Sequence, residues 1–303
     1  MDKTLLILLV LSGGAVWGVY NVLRRYYFQK REAQGFEVPV EVAVVATMLG
    51  ASVFAFGAQL VWSVWFGMPK VSISFWWFFA VVAVLNVVIE LCDNKASKIE
   101  EASIVAPLQG LTPVLVIPIS LLMLDEFPTM WGLIGIVVAV FGVYILALKR
   151  SDDGSAEGLL FPWKRLFQSG GARFAVLTAL FGALALNFDK LAVVESSPMI
   201  RTAAVFLAVA VSVWSVSVAT GRWKQLDKSC FWPLFWIGMV IGLADVLMSW
   251  GFLYGIVPYV ASLKRFQIIV TTILAGFFLH EGDWAVRLIG SAIIFGGILL
   301  IAF

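Results

Sequence analysis

Lys264, Gln267 and Thr271 recur at i, i+3 and i+7 inside an otherwise apolar stretch, a spacing that puts all three on one face of a helix. An ammonium flanked by two hydrogen-bonding side chains is equipped to hold a carboxylate or a phosphate. Arg265 lies about 100° round the same helix; it joins that task, pairs with a carboxylate or snorkels to the interface. Gln109 and Thr112 form a matching uncharged stripe earlier in the chain. Glu90, with Asn86 and Asn94 four residues to either side, and Asp245, with Ser249 one turn on, also interrupt apolar runs. A carboxyl group withdrawn from water is suited to taking up and releasing a proton. Both therefore read as proton-coupling candidates, the alternative being a charge that caps its span at the interface. Asn21-x-x-Arg24 and Asn187-x-x-Lys190 repeat a polar turn that lines a cavity or pairs with another helix. Asp189 is adjacent to Lys190 and cannot face it squarely.

The background makes these groups conspicuous. Of 303 residues, 61% are hydrophobic and 13% charged, with a mean hydropathy of +0.98. A soluble domain is about 45–50% apolar and about 25% charged. The net charge of +2 is scattered, which excludes a nucleic-acid partner. Two distant cysteines, Cys92 and Cys230, and one histidine, His280, leave no disulfide framework and no metal cluster. There is no GxSxG, HExxH or Walker loop. The chain is therefore expected to be neither an enzyme nor nucleotide-driven, and no cofactor is expected.

About 20 apolar residues cross a hydrocarbon core of about 30 Å. Ten such runs are predicted: Thr4–Leu23, Val40–Phe66, Ser74–Cys92, Ser103–Leu124, Thr129–Leu148, Phe174–Val194, Met199–Thr220, Phe231–Phe252, Val257–Leu279 and Trp284–Phe303. Trp62, Trp65, Trp76, Trp77, Trp131, Trp232 and Trp284 mark span ends, where an indole finds both apolar and wet surroundings. Lys149–Ala172 is the longest connection, beginning as a solvated linker and ending in LLFPWKRLFQ, a mixed apolar and basic piece suited to the interface.

The two halves resemble each other. Glu126 and Glu281 are 155 residues apart, and the same offset pairs Leu133-Ile134-Gly135 with Leu288-Ile289-Gly290, Gly142 with Gly297, Trp77 with Trp232 and Glu90 with Asp245. Five spans per copy force the second copy upside down in the bilayer. The organisation read here is an all-α integral membrane protein: a first repeat over 1–150, a linker over 151–172 and a second repeat over 173–303. Inverted repeats of this kind place a solute site near the midplane between them. Basic residues gather on one side, including Arg24, Arg25, Lys30, Arg31, Lys95, Lys98, Lys149, Arg150, Arg222 and Lys228, against Lys3, Lys70 and Arg201 on the other. The first side is then cytoplasmic, with both termini across the membrane.

APLQGLTPVLVIPISLLMLDE followed by WGLIGIVVAVFGVYIL resembles the second half of an EamA domain, as does SLKRFQIIVTTILAGFFLHE followed by RLIGSAIIFGGILLIAF. AVWGVYNVLRR and NFDKLAVVESSP resemble its first helix. The resemblance is to ten-helix members of the drug/metabolite transporter superfamily. It implies secondary transport, often export of amino acids, other metabolites or drugs, and leaves a lipid-linked carrier or flippase, or a non-transporting membrane protein, as alternatives. Lys264-Arg265 faces only Gln109-Gly110 at the matching place in the first half, so the halves are not chemically equivalent. The substrate-binding candidates are Asn21, Arg24, Asn94, Gln109, Thr112, Asn187, Lys190, Lys264, Arg265, Gln267 and Thr271, with Glu90 and Asp245 for proton coupling. The expected partners are a small polar solute and membrane lipids, the chain being a monomer or a homodimer. Glu126 and Glu281 read as structural or gating contacts, and Gly132, Gly135, Gly142, Gly290, Gly296 and Gly297 as close-packing positions.

Overall fold

The computed structural model describes residues 3–99, 105, 108–147, 169–279 and 284–302. Among the described residues it is all helical. The elements are α1 (Lys3–Ala33), α2 (Val40–Phe66), α3 (Ile73–Ile99), α4 (Thr112–Leu124), α5 (Met130–Ala147), α6 (Gly170–Val194), α7 (Pro198–Ala219), a 3-10 turn (Arg222–Lys224), α8 (Phe231–Tyr254), α9 (Val257–Leu263), α10 (Phe266–Leu279) and α11 (Trp284–Ala302). Seven segments are long and apolar enough to cross a membrane, the last being α9 and α10 taken together over Val257–Phe277. Thr112–Leu124, Met130–Ile145 and Ile289–Ile301 are shorter apolar helices. Nearly all of the linker predicted over 151–172 lies outside the described residues.

Local chemistry sets several boundaries. Ser169 and Ser197 cap α6 and α7, accepting hydrogen bonds from the Gly171 and Ile200 N–H groups at 3.1 Å each. Pro198 opens α7, where a missing N–H costs nothing. Gly67 ends α2 at φ 78°, a left-handed turn that a side chain would strain. Trp65, Trp77, Trp131 and Trp232 are exposed in the end turns of α2, α3, α5 and α8, as interface residues should be.

Several boundaries differ from expectation, among them the end of α3, which runs past Cys92 to Ile99. The first helix runs ten residues past the predicted end at Leu23, to Ala33. The ninth span is broken: Val257–Leu263 and Phe266–Leu279 are separate helices joined by a turn at Lys264-Arg265. The Arg265, Gln267 and Ile268 N–H groups bond three residues back, at 3.0, 3.2 and 2.9 Å. The Ser262 hydroxyl donates to the Pro258 carbonyl at 2.9 Å, a back-bond that bends helices. A turn at Gly110-Leu111 interrupts the fourth span at the corresponding place, just before Thr112, whose hydroxyl donates to the Gln109 carbonyl at 2.7 Å.

The helices pair in a regular way. α3 runs along α6 as α1 runs along α8; α4 packs on α6 as α10 packs on α1; α5 lies against α11, and α2 against α7. Glycines permit the closest approaches. A Cβ added to Gly135 would sit 2.6 Å from the Gly297 carbonyl, and one added to Gly297 2.6 Å from that of Gly135. Gly142 faces the Gly290 carbonyl similarly, and Gly132 makes room for the Tyr259 ring, whereas Gly296 has nothing within 4 Å and is no packing contact. Along α2 and α8, Gly50, Gly238 and Gly242 bring backbone against backbone. By contrast α3 meets α7 over a short stretch only.

Candidate functional site

A cavity of about 350 Å3 lies where α1, α3, α4, α6, α7, α8 and the α9–α10 break converge. Its walls include Trp17, Asn86, Thr112, Phe206 and Gln267, together with five ionisable side chains: Asp189, Arg201, Asp245, Lys264 and Arg265. Small-molecule sites run from about 300 to 1,000 Å3.

One wall is an ion-pair cluster. Arg201, Asp189 and Asp245 are 7%, 6% and 7% exposed. The Arg201 Nε donates to Asp189 Oδ1 at 2.9 Å, with Nη2 2.6 Å from the same oxygen. Its Nη1 donates to Asp245 Oδ2 at 2.5 Å and to the Ser249 hydroxyl at 3.3 Å. The Thr202 hydroxyl donates to Asp245 Oδ2 at 2.8 Å. A cation in the first turns of a helix opposes the helix dipole, and two carboxylates offset that cost here. Buried charges persist only when paired and hydrogen-bonded in this way.

The opposite wall is unlike it. Lys264 and Arg265 sit in the turn between α9 and α10, so each can reach the cavity although they are sequence neighbours. Among the described residues neither is paired with a carboxylate. The Lys264 Nζ lies 4.2 Å from the centroid of the Trp17 ring, a cation–π contact. Arg265 Nε and Gln267 Oε1 are buried without hydrogen-bond partners. Counting the five ionisable groups as charged, the cavity carries one net positive charge. A single anionic group would neutralise it and accept from the Arg265 Nε–H, while Gln267 Oε1 is left to accept from a donor on the same solute.

Thr112, Asp245, Lys264, Arg265 and Gln267, all expected from sequence to serve a site, are thus brought together. Others lie elsewhere. Asn21 Nδ2 donates to Thr271 Oγ1 at 3.3 Å, tying α1 to α10. Arg24 donates to the Tyr20 hydroxyl at 3.3 Å and stacks on Tyr20 and Phe28. Gln109 bonds Asp93. Asn187 Nδ2 donates to the Ala183 carbonyl at 2.9 Å, leaving its buried Oδ1 without a partner. Lys190 binds Glu126 and, at 2.7 Å, the Gly255 carbonyl. Glu126 also accepts from the Val257 N–H at 2.9 Å and the Ser120 hydroxyl at 3.1 Å. This knot, with Ser197 donating to Gln59 at 2.6 Å and Ser72 bonded to Glu195, ties the ends of α2, α4, α6 and the starts of α3, α7 and α9 on one side of the bundle. The side chains of Glu90 and Asn94, and His280 and Glu281, fall outside the described residues.

Sequence reasoning missed Arg201 and Trp17; it singled out Asp189 beside Lys190 without naming Arg201 as its partner. Arg201 looked like an interfacial charge because it stands four residues from its helix cap. Its signal was present: α7 is otherwise without charge, and its first-half counterpart α2 has no basic residue at all. Among the described residues no three His, Cys, Asp or Glu side chains come together as a metal site.

An all-helical bundle of apolar spans around a charged internal cavity has the form of a membrane carrier, and the comparisons agree. Residues 4–148 match the EamA-like transporter family. The match covers just under half of the chain, and the matched family is part of the drug/metabolite transporter superfamily. The apolar helices and that match make the chain a multi-pass integral membrane protein. A solved crystal structure, described only as that of a protein, superposes with a TM-score of 0.72 at 14% identity, over 98% of this chain and 96% of that one. At that identity the likeness concerns the fold. No curated protein matches the sequence.

Proposed function

We propose that this EamA-like chain is a secondary transporter, an exporter or exchanger, of a small polar metabolite bearing an anionic group, such as an amino acid or related solute. It works by alternating access across ten spans, arranged as inverted five-helix repeats over 1–150 and 173–303. One observation carries the reading: Lys264 and Arg265 line a cavity between apolar helices with no carboxylate paired to them among the described residues. A charge at membrane depth costs roughly 2.5–3.5 kcal/mol on insertion scales. Two such charges without partners mark a place where the partner comes from outside.

The repeat reading draws support from the pairing of helices. Exchanging the first five spans for the last five maps α3–α6 onto α8–α1, and α4–α6 onto the α10–α1 pair. Both corresponding spans break at the cavity, and interrupted helices are where carriers of this architecture hold solutes. The exchange fails at one place. It maps the extended α2–α8 contact onto α7–α3, which is slight. Among the described residues the helices are tied at one end by the Glu126–Lys190 knot, and α3 and α7 touch least towards the basic end. The positive-inside rule makes the basic end cytoplasmic, so solute enters from that side. Glu90 and Asp245 are the proton-coupling candidates, Asp245 being the one whose side chain is described, on the wall of the cavity.

The test is reconstitution into proteoliposomes with labelled amino acids, organic acids and phosphorylated metabolites. Saturable uptake of one such solute, with a half-saturating concentration raised roughly tenfold to a hundredfold in Lys264→Gln, is the expected result. Failure of every anionic solute to move would overturn the reading.

A further inference from the structure

Beside the central cavity lies a second space with different chemistry. This cleft, of about 340 Å3, lies between α3 and α7, and Asn86 belongs to both spaces. One face of α7 passes from the first to the second: Arg201 and Val205 line the central cavity, and Val209, Val213, Val216 and Thr220 follow at helical spacing along the cleft. Val87 and Leu91 form the facing wall on α3. Among the described residues the middle of the cleft is apolar apart from the Ser212 and Ser217 hydroxyls, with Asn86 at its inner end and Glu41, Thr220 and Arg222 towards its mouth. Ser217 Oγ is buried there without a hydrogen-bond partner, the residue being 2% exposed. At the mouth Arg222 donates to Glu41 at 3.3 Å.

Resting on the reading of Lys264 and Arg265 as the anion site, we infer that the transported solute is amphiphilic: an anionic head in the central cavity and an apolar tail along the α3–α7 cleft. The charges alone would suit a small hydrophilic anion. Such a solute leaves the adjoining apolar cleft unfilled, whereas a tail of several carbons covers Val209, Val213, Val87 and Leu91 from a head that stays on Lys264. The gap that breaks the helix-pairing pattern then has an occupant.

The probe is the n-alkanoate series from butanoate to decanoate, titrated by thermophoresis against the full chain in nanodiscs. Affinity should rise about threefold to fourfold per methylene until the cleft is filled. Val213→Trp, which occupies the cleft, should flatten that rise; Ser212→Phe on the same wall replaces it if the first variant does not fold. Comparing each variant with the parent at equal chain length cancels partition of the acid into lipid. Lys264→Gln should weaken all members by a similar factor. An equally steep rise in the filled variants means that the bilayer alone takes the tail, and overturns the inference. So does Lys264-dependent binding with no dependence on chain length, which leaves the anion site standing. Binding indifferent to Lys264 at every length would instead remove the anion site on which both rest.

Discussion

Arg201 and Lys264 are both cations set among apolar helices and facing one cavity, yet their surroundings are opposite. Arg201 is held by two carboxylates and the Ser249 hydroxyl, with the Thr202 hydroxyl bracing Asp245. Lys264 has an indole face and, among the described residues, no carboxylate in ion-pair contact. The protein thus treats one cation as structure and keeps the other in reserve. A charge is tolerated inside a bundle when its partner is built in, and is informative when its partner is not.

Removing each in turn should separate the two roles. Arg201→Met leaves Asp189 and Asp245 buried without their cation, and should cost about 3–5 kcal/mol of stability, read as loss of folded protein in detergent. A stably folded Arg201→Met would erase the contrast. Lys264→Gln should leave stability nearly unchanged while weakening anion binding by about 1.5–3 kcal/mol, roughly tenfold to a hundredfold, read as a rise in the half-saturating solute concentration. Lys190→Met removes a cation that is paired, like Arg201, but less buried. Glu126 keeps the Val257 N–H and Ser120 hydroxyl, so the loss should be about 1 kcal/mol, seen as a modest fall in Tm.

The smallest effect belongs to Asp227, on the loop before α8. The Ser229 N–H at 2.8 Å and hydroxyl at 2.9 Å hold its carboxyl below the usual carboxylate range. Its stabilisation is therefore present above that range and lost as pH falls through it. Asp227→Asn should be slightly less stable than the parent near neutrality and indistinguishable from it in acid, as thermal unfolding across pH would show.

Much of this contrast could be read from the chain, but not all. Lys264 and Gln267 were legible because a polar stripe at helical spacing stands out in an apolar run. α2 was legible to the residue, Val40–Phe66, because Pro39 and Gly67 bracket it. The turn at Lys264-Arg265 was not, since neither residue is a helix breaker and the bend comes from Ser262 bonding back to Pro258. Arg201 was misplaced because a charge four residues from a helix cap looks interfacial until the partners on α6 and α8 are known. Asn21 and Thr271, 250 residues apart, could each be recognised as polar, but their satisfaction of one another depends on α1 docking against α10. Periodicity reports which face a residue occupies; whether that face meets solute or another polar side chain is decided by packing across the bundle.

A structure determined with a transported anionic solute bound would test the central claim most directly. The account predicts the anionic group within hydrogen-bonding reach of Lys264 and Arg265, with Arg201 still gripped by Asp189 and Asp245. A solute seated on Arg201 in place of those carboxylates, with Lys264 and Arg265 turned to lipid, would contradict it.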